Sequence, residues 1–327
     1  MTNPFPSRPW APHLTADGSI TFLSPEFGEH FHSLQGAWDE ALVKYVGPTQ
    51  LIQRAQSQQQ IRILDVCYGL GYNTAAALTV IWSVAPHCQV QLLGLELDQS
   101  VAIAALPNLI AKLQAIQGTT LAPTAIDPQQ SSPVHLTCDA VKKTSHVLRE
   151  LALQGASDTS NFKGTLRWGD ARQTLTSTPT FSADAIFLDP FSPPQCPQLW
   201  SVEFISALAK NLEEQGFLAT YSCAAAVRTA LKLAGLVIGA SPPFGRRWPG
   251  TIAAYPHRSS ISALPPLSVQ ETEHLQTRAA VPYRDRTGHE TQKVILERRS
   301  HEQQQSPLEP TSRWKRRWFG NCRATHR

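Results

Sequence analysis

Apolar positions along the chain alternate between two periods. From Gln35 to Val46, Trp38, Leu42 and Tyr45 recur every three to four residues, the spacing of one helical face, and Gly47-Pro48 ends that helix. A second helix is expected over Thr49–Gln58. Ile61–Val66 is a short apolar run that reads as a buried strand, followed by the glycine turn Cys67-Tyr-Gly-Leu-Gly-Tyr-Asn73 and an alanine-rich helix over Thr74–Ser83. The next strand, Gln89–Leu95, ends in Glu96 and Asp98 and leads into a helix over Ser100–Leu113.

Residues 114–133 lose all apolar period and read as a surface loop. Further on, the pattern predicts a strand over Val134–Asp139, a helix to about Leu153, a polar stretch over 155–161, and strands over Gly164–Asp170 and Ala183–Leu188. Asp189 ends the last of these and opens a proline-rich loop. A helix over Trp200–Leu212 stopped by Gly216, a strand over Phe217–Ser222, a helix over Ala224–Ala234 and a strand over Gly235–Gly239 complete the series. Repeated βα steps predict an α/β fold, a mostly parallel sheet with helices on both faces. The expected organisation is an N-terminal extension with helices lining the site over 1–60, a core over 61–265, and a polar, basic extension over 266–327.

Composition adds limits. The 327 residues are 42% hydrophobic, enough for one large core, and contain no run of about 18 apolar residues. Met1–Trp10 lacks the layout of a signal peptide, so a cytoplasmic protein without a membrane partner is expected. The six cysteines form no C-x-x-C pair, and no metal is expected. Net charge is only +4, but Arg313, Lys315, Arg316, Arg317, Arg323 and Arg327 crowd the C-terminus among Trp314, Trp318 and Phe319, with no acid after residue 312. Such a tail can hold phosphates and stack on bases, or be a solvated terminus.

Ligands of a doubly wound sheet sit at the carboxyl ends of its strands, where each candidate acid falls. Gly69 and Gly71 allow a tight turn and close backbone approach, and the helix behind them offers unpaired N–H groups. Glu96 can accept from both hydroxyls of a ribose. Asp170 can accept from an adenine amino group, or simply cap the helix after it. The turn lacks a third glycine and no G-x-x-x-x-G-K-[ST] occurs, which disfavours a phosphate-rich cofactor and suits S-adenosylmethionine; an NAD-dependent oxidoreductase is the alternative enzyme class. Asp189, beside Phe191, can orient an amine and accept its proton, or act as a capping residue in a rigid turn.

Asp184-Ala-Ile-Phe-Leu-Asp-Pro-Phe-Ser-Pro-Pro-Gln-Cys-Pro-Gln-Leu-Trp200 resembles the string D-A-x-F-L-D-x-F-x-P-x-x-x-P-x-x-W of the methyltransferase part of the MnmC family, tRNA 5-methylaminomethyl-2-thiouridine biosynthesis proteins, including its stand-alone form without an oxidoreductase domain. Gly28–Leu42, Tyr68–Asn73, Gly216–Ser222 with Val227-Arg228, and Phe244–Arg247 agree in order, so the resemblance runs from about Pro25 to Ala254. It implies a Rossmann-like class I methyltransferase that uses S-adenosyl-L-methionine to convert 5-aminomethyl-(2-thio)uridine at the tRNA wobble position to its 5-methylaminomethyl form. By that match Tyr68, Gly69, Gly71, Asn73, Glu96 and Asp170 hold the cofactor and Asp189 meets the amine. Phe191, His32, Ser33, Arg246 and Arg247 face the substrate, with Arg228 also toward tRNA and Ser24 and Glu26 close to the site. Cys67 and Pro190 replace residues usual in the pattern. The D-P-F order is also similar to loops of enzymes that methylate base amines, which leaves another nucleobase or a small amine open, as well as a non-catalytic nucleoside- or RNA-binding module. With no second glycine fingerprint after residue 260, upstream tRNA-modifying enzymes are expected to supply the aminomethyl group.

Overall fold

The computed structural model describes residues 10–122, 132–245, 247–257 and 264–320. An antiparallel hairpin, β1 (Pro12–Leu14) and β2 (Ile20–Phe22), precedes α1 (Ala37–Ala41), which runs on as a π-helical turn over Leu42–Val46, and α2 (Leu51–Ser57). The alternating core follows as β3 (Gln60–Val66), α3 (Tyr72–Val84), β4 (Gln89–Glu96), α4 (Gln99–Ile116), the short strands β5 (Thr120–Leu121) and β6 (Val134–His135), and α5 (Cys138–Gln154). It continues through β7 (Ala156–Thr159), β8 (Phe162–Trp168), α6 (Ala171–Thr176), β9 (Ala183–Leu188), α7 (Val202–Ala209), β10 (Leu212–Thr220), α8 (Ala225–Leu233), β11 (Val237–Pro243) and β12 (Pro249–Ala254). Three helices close the chain: α9 (Val269–His274), α10 (Gln292–Gln305) and α11 (Thr311–Phe319).

The eight-stranded sheet has the order β11-β12-β10-β9-β3-β4-β8-β7. Strands β10, β9, β3, β4 and β8 are mutually parallel, and antiparallel β12 and β7 flank them. The period of two decides which core each residue joins. Ile61, Ile63, Ala185 and Phe187 face α1, α3, α4 and α5, whereas Leu64, Val66, Ile186 and Leu188 face α7 and α8. The expected α/β class, with a mostly parallel sheet covered on both faces, is therefore the one observed. Among the described residues no helix is long and apolar enough to cross a membrane.

Several local expectations are corrected. The strand read over Val134–Asp139 shrinks to β6, because Thr137 accepts from the Ala140 N–H (3.2 Å) and starts α5 at Cys138. The polar stretch after Gly155 is β7, which pairs with β8 as a hairpin. Gly216 does not stop a helix: α7 ends at Ala209 and Gly216 lies inside β10, where the register with β9 shifts between Leu212 and Phe217. A Cβ there would approach the Ala183 carbonyl to 2.8 Å, so the bulge needs glycine. Part of the loop expected over 114–133 lies outside the described residues.

Arg228, expected to face tRNA, is instead buried at 1% exposure on α8. Its guanidinium donates to Glu271 Oε1 (2.7 Å), Thr251 Oγ1 (3.0 Å) and the Gly250 carbonyl (3.2 Å). Glu271 completes a capping box with Ser268 at the start of α9, so Arg228 ties the polar C-terminal segment to the sheet. Tyr283 and Ile295 join the core on the same face. Removing one partner of a buried ion pair leaves the other charge uncompensated. Arg228→Met is expected to lower unfolding free energy by about 3 kcal/mol, with the R228M/E271M double variant losing less. Thermal and urea unfolding of both variants check this, and equal losses would remove the pair as the cause.

Candidate active site

Strand β3 has β4 on one side and β9 on the other, and the crevice beyond their carboxyl ends is where an open α/β sheet binds ligands. A cavity of about 600 Å³ opens there, walled by the ends of these strands and by residues 24–35 of the N-terminal segment. Its floor is the β3–α3 turn. Cys67, Gly69 and Gly71 have φ of +66°, +54° and +84°, the left-handed region. A Cβ at Gly71 would stand 2.7 Å from Tyr68 Oη, and one at Gly69 would stand 3.3 Å from the Phe31 ring. Gly69 thus keeps the cavity lining clear of a side chain and Gly71 lets Tyr68 pack under the turn, while Cys67 holds the same left-handed geometry at a cost of about 1–2 kcal/mol.

Glu96, buried at the end of β4, accepts from the Gly69 N–H with Oε2 (2.7 Å) and from the Asp98 N–H with Oε1 (3.0 Å). Burial pushes its pKa up, against the opposing effect of these donors. Glu96 lines the cavity, and a carboxylate oxygen that accepts one bond can still accept a second from a donor such as a diol.

Asp170 also lines the cavity, but its carboxylate is turned to Arg172. Oδ1 accepts from the Arg172 backbone N–H (2.9 Å) and Nε (3.1 Å), and Oδ2 from Nε (3.1 Å) and Nη2 (2.6 Å). Burial works against ionisation, yet these bonds hold the carboxyl below its usual range. The geometry displays the capping role, with the carboxylate bonded to Arg172 at the cavity's edge. Arg172 reaches on to Asp285 (2.6 Å), so this corner is braced by the C-terminal segment.

Asp189 follows β9 and accepts from Asn73 Nδ2 at 2.9 Å. Burial, then the neighbouring Glu40 carboxylate, raise its pKa well above the ordinary carboxylate range. The loop behind it is pinned by Tyr221 Oη on the Pro190 carbonyl (2.9 Å) and Trp200 Nε1 on the Phe191 carbonyl (2.8 Å). Phe191 stacks on Phe27 at 4.5 Å and meets Phe31 edge-on at 4.9 Å, forming an aromatic wall. Glu29 accepts from the Ser192 N–H (2.8 Å) and its hydroxyl, fastening the N-terminal segment to this loop.

His32 and Ser33 stand in the same wall, with Ser24 and Glu26 nearby. Burial drops the His32 pKa to about 4, so the ring is neutral, and its Nε2 has no hydrogen-bond partner. His30 Nε2 and Gln198 Oε1, on other lining residues, are likewise buried and unpartnered. Buried polar atoms are normally satisfied, so this concentration marks a polar ligand site.

Other expected residues lie elsewhere. Tyr68 is buried beneath the turn, Gly71 caps α3, and Asn73 acts through Asp189; none is in the cavity wall. Arg247 is exposed, over the rings of Trp248 and Phe319 at 5.9 Å each, and Arg246 lies outside the described residues. Sequence reasoning missed Glu29 and Glu40. Their only signal was a place in the segment Gly28–Leu42, among the motifs that resemble the family. Among the described residues no group of three or more His, Cys, Asp or Glu side chains is placed to hold a metal.

Residues 139–256 match a family described as S-adenosyl-L-methionine-dependent methyltransferase. Over 268 residues the chain is 29% identical to the tRNA 5-methylaminomethyl-2-thiouridine biosynthesis bifunctional protein MnmC of Cupriavidus necator, covering 81% of this chain and 37% of that protein. It is 27% identical over 289 residues to an uncharacterized protein of Methanocaldococcus jannaschii, covering 87% and 70%. The crystal structure of MNMC2 from Aquifex aeolicus matches with a TM-score of 0.73 at 28% identity, covering 93% of this chain and 88% of that one. The chain carries an MnmC-like methyltransferase domain. Its cofactor is S-adenosylmethionine, and Gly69, the Glu96 carboxylate and the unpartnered His30, His32 and Gln198 atoms of the cavity lining fit a molecule of that kind. The chain spans little more than a third of the bifunctional MnmC relative from Cupriavidus.

Gly71→Ala forces Tyr68 or the turn to move in this MnmC-like domain. At least a tenfold rise in the S-adenosylmethionine dissociation constant is expected by calorimetry, about 1.4 kcal/mol; an unchanged constant would show that the turn does not shape the cofactor site.

Proposed function

We propose that this domain transfers a methyl group from S-adenosylmethionine to the exocyclic amine of 5-aminomethyl-(2-thio)uridine at the wobble position of tRNA, as a cytoplasmic enzyme acting after others have installed the aminomethyl group. The observation that carries the reading is Asp189, a carboxylate with a raised pKa at the cavity's edge, beside Glu40 and an aromatic wall. The printed name of the relative from Cupriavidus necator, a tRNA 5-methylaminomethyl-2-thiouridine biosynthesis protein, supports the same substrate.

When bound, the cofactor supplies an electrophilic methyl group. Glu96 would accept from its ribose hydroxyls, with the Gly69–Gly71 turn and the N-terminal N–H groups of α3 beside its polar tail. Phe27, Phe31 and Phe191 give a pyrimidine ring a face to stack on. His32, neutral, would present Nε2 to the edge of the base. An alkylamine arrives as ammonium and has no lone pair until it loses a proton. Asp189 would take that proton, and its raised pKa makes it a better base than an exposed carboxylate. Glu40 would add the negative charge that draws the cation in and raises the affinity of Asp189 for the proton.

The substrate is tested by nucleoside mass spectrometry of tRNA from cells lacking the gene, with protein and S-adenosylmethionine added back. The expected result is accumulated 5-aminomethyl-uridine that gains one methyl group with wild-type protein. Asp189→Asn should bind cofactor normally and turn over at least about 100-fold more slowly. Unchanged wobble nucleosides would send the search to another base or a small amine.

The sign of the Glu40 effect follows from its charge, which raises the Asp189 pKa. In Glu40→Gln that pKa falls, so the acidic limb of the kcat/KM profile is expected to move to lower pH. A limb that stays in place removes Glu40 from the proton transfer.

A further inference from the structure

Helix α11 lies beyond the last of the sequence motifs that resemble the MnmC family, which end near Ala254. Trp314 is its anchor: 5% exposed, it stacks on His274 at 4.1 Å and donates through Nε1 to the Gln270 carbonyl (3.1 Å). Phe319 meets Trp314 edge-on at 5.5 Å and Trp248, in the β11–β12 turn, at 5.7 Å. The apolar face is thus spent on α9 and that turn.

The other face is basic. Arg313, Lys315 and Arg316 are exposed, and among the described residues none of them forms an ion pair. The nearby acids are already occupied, since Arg317 pairs with both Glu273 (2.8 Å) and Glu309 (3.0 Å). Trp318 is 37% exposed, and Arg247 lies open over Trp248 and Phe319. The patch adjoins the cavity, because Gly245, two residues before Arg247, lines it.

We propose that α11 and the β11–β12 turn form an RNA-docking surface, on which Arg313, Lys315, Arg316 and Arg247 meet backbone phosphates and Trp318 offers a stacking face. The proposal rests on the reading that the substrate is a nucleotide within an RNA. Cations on one face beside an accessible aromatic ring are what a single-stranded or looped RNA requires. A membrane-surface helix needs its apolar side for the bilayer, and here Trp314 is packed inside the protein.

The experiment uses the full chain and the triple variant R313A/K315A/R316A. Binding of bulk tRNA is measured by filter retention over a salt series, S-adenosylmethionine binding by calorimetry, and sedimentation with phosphatidylserine vesicles as the competing probe. The triple variant is expected to bind tRNA at least tenfold more weakly at about 0.1 M salt, with the slope of log K against log salt reduced by about 2–3. Its cofactor affinity and Tm should be unchanged. Trp318→Ala should weaken tRNA binding severalfold without altering the slope. Equal tRNA affinity and slope in triple variant and wild type overturn the proposal, as does a triple variant that loses vesicle binding alone. Because retention needs no methyl transfer, a wild-type protein that binds tRNA through these residues but does not methylate it would keep the docking surface and sink the substrate reading.

Discussion

The site depends on one buried carboxylate. Glu96 would be unstable at the end of β4 without donors, and two backbone N–H groups, from Gly69 and Asp98, provide them. The bond to Gly69 joins the second strand of the βαβ unit to the turn that follows the first. It helps fix a backbone in the left-handed region, together with the Cys67 and Tyr68 N–H bonds to the Leu95 carbonyl, and α3 starts from that point. Where α3 starts decides where Asn73 lies, and Asn73 holds Asp189. One end of the cavity is thereby set from the other. Asp65, on β3 beneath the same turn, strengthens the link: its bond from Thr74 (2.6 Å) ties strand to helix, while burial pushes its pKa up to about 7.

The N-terminal segment is as much a part of the site as the sheet. Glu29 bonds the loop after Asp189, and Glu40 accepts from the Ser33 N–H at 2.9 Å. Both acids hold backbone donors in place, so the segment lies against the strand ends through directional bonds as well as the Phe27–Phe191 stack. Glu40 then has two duties, positioning the wall with one oxygen and acting on Asp189 through its charge.

Much of this was legible in the sequence because it is local. Buried strands show as apolar runs, and Gly69, Gly71, Glu96 and Asp189 fall at strand ends by spacing alone. What escaped is what distance in sequence hides. Nothing in the local sequence shows that Arg172 both binds Asp170 and reaches Asp285, 113 residues away. Arg228 sits in a segment that resembles a tRNA-binding family, yet its charge is spent on Glu271 inside the protein. Gly216 follows a helical pattern and looks like a stop, although it serves close packing against the Ala183 carbonyl. Glycines, arginines and acids each have several uses, and tertiary neighbours choose among them.

The distribution of acids around the cavity also bears on how the proposed reaction is driven. Positive charge would leave the cofactor's sulfur and appear on the amine nitrogen, so the receiving end must favour a cation more than the donating end does. Glu96 has its charge tied into two backbone bonds, and the charge of Asp170 is answered by Arg172. Asp189 and Glu40 both line the cavity and interact through their charges, with the neutral donors Asn73 and Tyr45 bonded to Asp189. The neighbouring acids Asp189 and Glu40 therefore place negative potential at the acceptor end of the proposed reaction. In a walled cavity, where water screens poorly, such fixed charge stabilises a developing cation without reorganising during the reaction. Burial and the Glu40 charge raise the proton affinity of Asp189, which is what the proposed base needs when it must remove a proton from an ammonium group before the methyl group moves.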